Sequence, residues 1–216
     1  MHLHLIRHGQ TDWNATRRIQ GQAESHLDQT GEAQAVALGE RLAEVPFRSA
    51  YISSAQRTRQ TAERVLAARE LPCHFRDDLR EMRLGRWETH LWADVERDEP
   101  EQVGLYRAFD ERFQIEGAER LAQMQQRGID AIADIVATER KAGAGKQDHI
   151  AIVSHGFLLR AILADVLDRP LPDFAGAKPL PNCAHSIVVA SAELGLHAVT
   201  IDSEPPEVGL WAWLFV

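Results

Sequence analysis

The 216-residue chain has few cysteines, no long apolar run and no excess of basic residues. Its two cysteines, Cys73 and Cys183, are too few for a disulfide framework, and no CxxC pair indicates a zinc site. No apolar run approaches the roughly 18 residues that a membrane-spanning helix needs, and the N-terminus is too short and too interrupted by histidine for a signal peptide. These absences favour a soluble, reduced, cytoplasmic protein with no membrane partner.

The charge balance argues against nucleic acid as a partner. The chain carries 24 Lys and Arg against 32 Asp and Glu, a formal net charge of -8. Non-specific binding to nucleic acid needs a basic face. A small anion can still bind to an acidic protein, provided that a few Arg, Lys and His side chains form a local basic pocket.

Apolar runs and helical patterns alternate along the chain. We predict strands at residues 2–6, 49–53, 73–75, 149–154, 186–190 and 197–201. Helices are predicted after an N-cap at Thr30, after the strand at 49–53, across 92–140 with breaks near Pro100 and Gly117, and after residue 156. This order predicts an α/β fold, a three-layer α/β/α sandwich around a mostly parallel central sheet. We expect a single domain over 1–216, with a helical cap-like insertion at roughly 90–140.

Two of the predicted strands end in a histidine that is followed by glycine. His8 and Gly9 follow the first strand, and His155 and Gly156 follow the strand at 149–154. Ligands of open α/β sheets bind beyond the carboxyl ends of the strands, so the two histidines would meet there if their strands are neighbours. Each glycine allows a close approach of the backbone to a ligand. The N-terminal N–H groups of the following helices would also suit an anion.

Two further residues carry weaker signals. Arg57 lies at a predicted helix start, where its charge opposes the helix dipole. Binding of a phosphate group would explain this position, and a solvated surface arginine is the alternative. Glu81 lies in a charged loop and indicates nothing by itself.

Together, these motifs resemble those of the histidine phosphatase superfamily, also called the phosphoglycerate mutase-like family. Matching blocks lie in order at residues 7–14, 19–35, 53–62, 79–88 and 153–156, and they span most of the chain. The first block reads RHGQTDWN, where the family usually has RHGETxWN. Departures at Glu24, His26, Asp28 and residues 117–120 lie nearer the expected substrate end, so they affect substrate identity more than mechanism.

The resemblance implies a phosphoric monoester hydrolase of the phosphatase branch that needs neither a metal nor a cofactor and acts on a small phosphorylated metabolite. His8 would attack phosphorus and form a phosphohistidine. Arg7, Arg57 and His155 would surround the phosphoryl oxygens. Glu81 would protonate the leaving oxygen and then deprotonate the attacking water. The other predicted phosphate- and substrate-binding residues are Asn14, Gln20, Gly21 and Gly156.

Other functions remain as alternatives. A cofactor-dependent phosphoglycerate mutase would use the same site, but mutases of this family have a longer insertion between the residues that match Glu81 and His155, and a longer C-terminal tail. A non-catalytic regulatory phosphate-binding module is the weaker alternative, since every expected catalytic residue is present. The remaining histidines lack a partner set for a metal.

The sequence leaves the substrate and the oligomeric state open. Phosphosugars, phosphoglycerates, nucleotide monophosphates, α-ribazole phosphate and phosphoserine are all candidates. Arg107 and Arg112 could favour a second anionic group on the substrate, although a solvated helix face explains them better. The apolar segment at 210–216 is expected to be a last strand or packed tail, and a flap over the site or a homodimer contact is the alternative.

Overall fold

The computed structural model describes residues 1–67, 69–174, 179–191 and 195–201. Within them, six strands form one sheet with the order β3-β2-β4-β1-β5-β6. The strands are β1 His2–Arg7, β2 Phe47–Ser53, β3 Cys73–Arg76, β4 His149–Ser154, β5 His185–Ser191 and β6 Gly195–Thr200. Strands β1 to β4 pair in parallel, and β5 and β6 pair antiparallel. The predicted mostly parallel sheet is therefore confirmed. The predicted last strand or packed tail at 210–216 lies outside the described residues.

Helices cover both faces of this sheet. They are α1 Asp12–Ala15, α2 Gln29–Arg41, α3 Gln56–Val65, α4 Trp92–Asp98, α5 Pro100–Arg107, α6 Leu121–Lys141 and α7 Gly156–Val166. Residues of α2 and α3 share a buried apolar cluster with Ile6, and residues of α6 and α7 share the other with Leu5. Neighbouring residues of a strand point to opposite faces, so this division confirms the three-layer sandwich. None of the helices in the described part of the chain combines the length and apolar character that crossing a bilayer demands.

The two central strands place the predicted histidines together. The inner residues of β1 and β4 are buried on both faces, which explains the strongly apolar sequence of β4. They pair in parallel, with Arg7 opposite Ser154. The next residue in each strand direction is a histidine, so the register places His8 and His155 at the same edge of the sheet.

The start of α2 differs from the prediction. The helix begins at Gln29, and its N-cap is Asp28, whose carboxylate accepts a hydrogen bond from the backbone N–H of Gly31 at 2.8 Å. Thr30 therefore lies inside the first turn. The other carboxylate oxygen of Asp28 accepts a hydrogen bond from Nε2 of Gln10 at 2.9 Å, which ties the start of α2 to the loop after β1.

The region at 90–140 is helical with two interruptions. Glu99 separates α4 from α5, and Pro100 occupies the first turn of α5, where its missing N–H costs nothing. Residues 108–120 form a loop before α6. Side chains of α4 and α5 line the cavity described below, whereas α6 contributes to the core with α7. The single domain and the cap-like insertion stay predictions.

Candidate active site

The carboxyl ends of β1 and β4 carry His8 and His155 side by side. Their ring centroids are 5.3 Å apart, and the ring planes are inclined by 63°. A cavity of about 600 Å³ opens at this edge of the sheet. It is lined by eight of the nine predicted site residues, namely Arg7, His8, Asn14, Gln20, Gly21, Arg57, Glu81 and Gly156.

His8 is held as a neutral imidazole with a defined tautomer. Its Nδ1 lies 2.8 Å from the carbonyl oxygen of Gly9. Because a carbonyl oxygen can only accept, Nδ1 carries the proton and Nε2 keeps the lone pair. Burial, assisted by the positive charges of Arg57 and Arg7, lowers the pKa of His8 well below its usual value. The ring is therefore unprotonated at Nε2, as a nucleophile requires.

Arg7 offers an unused donor beside this histidine. Its side chain passes so close to Gly156 that a Cβ there would lie 3.0 Å from Nε of Arg7. Nη1 donates to the carbonyl oxygen of Leu180, and the buried Nε has no hydrogen-bond partner among the described residues. A buried donor without a partner is costly, so this position suits an anionic acceptor such as a phosphoryl oxygen.

Arg57 is almost fully buried, with 1% of its surface exposed, and it spans several elements. Nη2 and Nη1 donate to the carbonyl oxygens of Gly21 at 2.7 Å and Ala23 at 2.9 Å, and Nε donates to Nδ1 of His155 at 3.2 Å. Burial lowers the pKa of Arg57 to about 10, so it remains a cation at neutral pH. A guanidinium has five N–H groups, and two of them are left for a ligand.

His155 is the predicted site residue that does not line the cavity. It is fully buried, Nδ1 accepts from Arg57, and Nε2 lies 2.8 Å from Oγ of Ser53. Burial, with Arg57 as the next contribution, lowers the pKa of His155 well below its usual value. The neutral ring thus packs against His8 and accepts a hydrogen bond from Arg57. A direct contact between His155 and phosphate stays a prediction.

Helix α1 and the loop that follows it present the next group of predicted residues. The amide oxygen of Asn14 accepts hydrogen bonds from the backbone N–H and the hydroxyl of Thr11, both at 3.1 Å. The amide NH₂ of Asn14 is therefore the group left for the cavity. Gly21 has a φ of +50°, and a Cβ at this position would come within 2.3 Å of Oε1 of Glu88. Only glycine fits here without strain.

The N-terminus of α7 holds Glu81, which corrects one expectation. The backbone N–H groups of Phe157 and Leu158 donate to the Glu81 carboxylate, each at 3.0 Å. A carboxylate is favourable at a helix N-terminus because the dipole and the unpaired N–H groups are there. These groups therefore position the predicted acid instead of facing a substrate anion. The helix after His8, α1, is a single turn whose Asn14 N–H is capped by Thr11 at 3.0 Å.

Beyond Glu81, aromatic rings form one wall of the cavity. Trp92 and Tyr106 have ring centroids 5.6 Å apart, Tyr106 and Phe157 are 4.7 Å apart, and Phe157 and Phe109 are 4.5 Å apart. The guanidinium carbon of Arg160 lies 4.8 Å from the ring centre of Phe109. We call this wall, with Arg160, the aromatic wall.

Three supporting residues were not singled out as site residues from the sequence. Ser53 bonds His155, and Oε1 of Glu88 accepts from the N–H groups of Gln22 and Leu84, each at 2.9 Å. Both lie inside blocks that match the family, but nothing in the residue type indicates the role. Arg160 had a readable signal, since it follows Gly156 by four residues and so shares its helix face.

A neutral strand-end histidine, two buried arginines and a carboxylate around one cavity are the parts of a phosphoryl-transfer enzyme that reacts through histidine. Residues 3–197 match the family model of the histidine phosphatase superfamily (branch 1). The chain belongs to this superfamily. Among the described residues, no group of three or more His, Cys, Asp and Glu side chains is arranged to hold a metal ion.

Named relatives include phosphatases and a mutase. The chain is 35% identical over 162 residues to a metal-independent phosphoserine phosphatase of Arabidopsis thaliana, covering 73% of this chain and 65% of the relative. It is 31% identical to a probable phosphoglycerate mutase, GpmB, of Erwinia tasmaniensis, covering 79% of this chain and 76% of the relative. The solved structure of Bacillus stearothermophilus YhfR superposes with a TM-score of 0.85 at 28% identity, covering 94% of this chain and 96% of that chain.

Proposed function

We propose that this protein is a metal-independent phosphatase that hydrolyses small phosphomonoesters through a phosphohistidine on Nε2 of His8. The observation that carries the proposal is the hydrogen bond between Nδ1 of His8 and the carbonyl oxygen of Gly9. It leaves Nε2 as the unprotonated nitrogen beside a cavity that Arg7 and Arg57 also line.

In the first step, Nε2 of His8 attacks phosphorus in line with the leaving oxygen. The N–P bond forms as the P–O bond breaks, and Glu81 gives its proton to the leaving alkoxide. Arg7 and Arg57 balance the charge on the phosphoryl oxygens, and the NH₂ group of Asn14 adds a neutral donor. The Nδ1–H of the phosphorylated imidazole keeps its acceptor at Gly9, which stabilises the positive charge of the ring.

In the second step, a water molecule replaces the departed alcohol. The Glu81 carboxylate takes a proton from this water, which attacks phosphorus, and the N–P bond breaks to release inorganic phosphate and restore His8. The backbone N–H groups of α7 orient Glu81 for both steps. His155 acts as a positioning residue in this scheme because it holds Nε of Arg57.

The first test is release of inorganic phosphate from a panel of phosphomonoesters in EDTA. The wild type is compared with His8→Ala and with a matched control, His74→Ala, whose side chain is exposed on β3. We expect EDTA-resistant turnover in the wild type and the control and none in His8→Ala. A rapid-quench experiment should also trap an acid-labile, base-stable phosphoenzyme. Turnover that survives His8→Ala would refute the proposal.

The similarity to a probable phosphoglycerate mutase supports a second candidate. A mutase would need the same histidine nucleophile, the same two arginines and the same carboxylate. The panel therefore includes 3-phosphoglycerate with its bisphosphate primer, and isomer exchange is recorded. Exchange without phosphate release would favour the mutase. No turnover on any compound would favour a regulatory phosphate-binding role.

We also propose that the enzyme works in the cytoplasm. The free thiols of Cys73, which is exposed, and Cys183, which is half-buried, are compatible with a reducing compartment. Localisation of a tagged chain by cell fractionation tests this proposal.

A further inference from the structure

We propose that Arg127 of α6 is a positioning residue for the acid Glu81 and that Glu119 holds the guanidinium of Arg127 in place. The inference rests on the proton transfer by Glu81 in the function proposed above. It assigns a role in the reaction to two side chains that do not line the cavity.

The guanidinium of Arg127 binds the backbone that carries Glu81. Nη1 donates to the carbonyl oxygens of Asp78 and Arg80, each at 2.8 Å, and Nη2 donates to the carbonyl oxygen of Glu81 at 3.4 Å. We call residues 78–81 the acid segment. No helix or strand includes its last two residues, so side-chain donors take the place of a regular hydrogen-bond ladder there.

Two further side chains complete the attachment of the acid segment. Oγ of Ser154, the last residue of β4, donates to the carbonyl oxygen of Leu79 at 2.7 Å. Nε2 of Gln22, in the loop after α1, donates to the carbonyl oxygen of Glu81 at 3.0 Å. The four successive carbonyl oxygens of the acid segment therefore all accept hydrogen bonds from side chains of other elements. The backbone of the acid is fixed by these donors, and its carboxylate is fixed by the N–H groups of α7.

All five N–H groups of Arg127 have an acceptor, three on the acid segment and two on Glu119. Nε and Nη2 donate to the two carboxylate oxygens of Glu119, each at 2.8 Å, in the bidentate geometry of a strong ion pair. Only 21% of the Arg127 side chain and 12% of the Glu119 side chain are exposed. Water and salt therefore screen this pair less than a surface pair, and it holds the guanidinium against the acid segment.

A partly buried ion pair does not by itself indicate a role in the reaction. The acceptors of Arg127 distinguish this pair, because three of its five hydrogen bonds fix the backbone from which Glu81 projects. A general acid must lie within about 2.6–3.2 Å of the leaving oxygen, and a misplacement of about 1 Å can lower a rate by about 100-fold. Phosphate binding depends on other side chains, Arg7 and Arg57. Loss of Arg127 should therefore slow the steps in which Glu81 moves a proton.

The test measures release of the alcohol in single turnovers, which reports phosphoenzyme formation. It uses p-nitrophenyl phosphate and the alkyl phosphate that the wild type hydrolyses best. An alkoxide needs a proton to leave, whereas nitrophenolate does not. We expect Arg127→Met to slow this step by about 10- to 100-fold with the alkyl phosphate and to change it little with p-nitrophenyl phosphate. A merely structural role would lower both rates by the same factor.

Arg76→Met is the matched control. The Arg76 side chain is also 21% exposed, and it also connects the acid segment with α6, through ion pairs with Asp78 and Asp134. These bonds reach carboxylates instead of the backbone, so the ratio of the two rates should stay at the wild-type value. Arg127→Lys keeps the charge next to Glu119 but has three donors instead of five, so it should recover only part of the alkyl phosphate rate.

Two further variants make the result independent of the folding of Arg127→Met. In Glu81→Gln the acid is already absent, so the addition of Arg127→Met should not lower the alkyl phosphate rate further. Glu119→Gln leaves Arg127 in place but puts an amide NH₂ against one of its donors. The same selective loss should then appear, at a smaller size.

The outcomes separate this inference from the proposed function. If Glu81→Gln shows the selective loss while Arg127→Met and Glu119→Gln lower both rates by the same factor, or leave both unchanged, the inference fails and the phosphatase stands. Losses that multiply in the double variant would also refute it. If Glu81→Gln lowers both rates alike, Glu81 is not the acid and the inference fails with that assignment. If the wild type hydrolyses no compound of the panel, the phosphatase proposal itself is overturned.

Discussion

Nε of Arg57 lies 3.2 Å from Nδ1 of His155 and donates a hydrogen bond to it. A guanidinium cannot accept, so Nδ1 of His155 carries a lone pair, and Nε2–H is the donor to Ser53 at 2.8 Å. The same guanidinium also holds the carbonyl oxygens of Gly21 and Ala23. Arg57 therefore connects the end of β4 with the loop that follows α1, and these bonds fix the orientation of its remaining N–H groups.

Replacement of Arg57 by lysine tests this connection. An ammonium group cannot reach three acceptors in one plane, so Arg57→Lys should lose at least two of these bonds although it keeps the charge. We expect kcat/KM to fall by about 100-fold and the free energy of unfolding to fall by about 2 kcal/mol. Steady-state kinetics and urea unfolding measure the two effects.

Ser53→Ala is the matched comparison because it frees Nε2 of His155 but leaves Arg57 in place. The free energy of unfolding should fall by a similar amount in Ser53→Ala and in Arg57→Lys. The fall in kcat/KM should be smaller in Ser53→Ala. Equal catalytic losses in the two variants would mean that the His155 ring, and not the charge and fork of Arg57, carries the function.

The leaving-group dependence of Glu81→Gln tests the acid role. If Glu81 protonates the alkoxide, the variant should hydrolyse alkyl phosphates about 100- to 10,000-fold more slowly. The loss should be much smaller for the first step with p-nitrophenyl phosphate, because nitrophenolate leaves without a proton. A burst of nitrophenol followed by slow turnover would indicate that phosphoenzyme hydrolysis also depends on Glu81.

A structural effect of Glu81→Gln would look different. The amide NH₂ can face only one of the oxygen positions that now accept from the N–H groups of Phe157 and Leu158, and there it would oppose a donor. A disordered α7 would lower activity on all substrates by the same factor. A uniform loss in the rate of phosphoenzyme formation would therefore argue against acid catalysis by Glu81, whereas the second step is common to all substrates.

Gly156→Ala tests the approach of Arg7 to α7. The added methyl group would lie 3.0 Å from Nε and 3.3 Å from Cζ of Arg7, so the guanidinium must move. A displacement of this order at a phosphate-binding group should reduce kcat/KM by about 10-fold or more. Gly104→Ala is the control, since a Cβ there meets nothing within 4 Å. It should leave activity unchanged and raise helix stability by up to about 1 kcal/mol.

The sequence predicted those parts of the site that depend on strand order and local spacing. His8 and His155 end apolar runs, so the edge of the sheet that carries them was predictable once β1 and β4 were taken as neighbours. That adjacency is a property of the whole sheet, in which β2 and β5 flank the pair. From the sequence alone, the adjacency of β1 and β4 could only be assumed.

Contacts between distant segments could not be predicted from the sequence. The N–H group of Phe157 is bonded to Glu81, 76 residues earlier in the chain, and no local pattern indicates that pairing. The same holds for the hydrogen-bond partners of His155, because Ser53 and Arg57 lie 102 and 98 residues earlier in the chain. Asp28 displaced Thr30 as the cap of α2 because both residue types cap helices well, and only the backbone decides between them.

Away from the cavity, a second histidine cluster makes the fold sensitive to acid. Nδ1 and Nε2 of His4 lie 2.9 Å from Nε2 of His185 and 2.8 Å from Nδ1 of His149. His2 stacks on His149 with ring centroids 4.7 Å apart. Burial, and then the neighbouring His185 and His149, lower the pKa of His4 to about 3. Burial, and then Arg41, lower the pKa of His185 to about 4.

These shifts predict how stability changes with pH. In the unfolded chain the imidazoles of His4 and His185 take up protons as the pH falls through about 6.5, whereas the folded rings stay neutral until about 3 and about 4. The unfolded state thus binds more protons in this window. The contribution to stability is fully present above pH 6.5 and is lost as the pH falls, with a slope of up to about 1.4 kcal/mol per pH unit for each ring.

Replacement of His4 by leucine should remove its share of this slope. Urea unfolding of the wild type and His4→Leu between about pH 5 and 7 compares the slopes, and absolute stabilities do not matter, since the variant also loses two hydrogen bonds. The wild-type curve should fall more steeply towards acid by up to about 1.4 kcal/mol per pH unit. Parallel curves would mean that His4 binds as many protons in the folded state as in the unfolded state, and the chain of neutral imidazoles would then have to be abandoned.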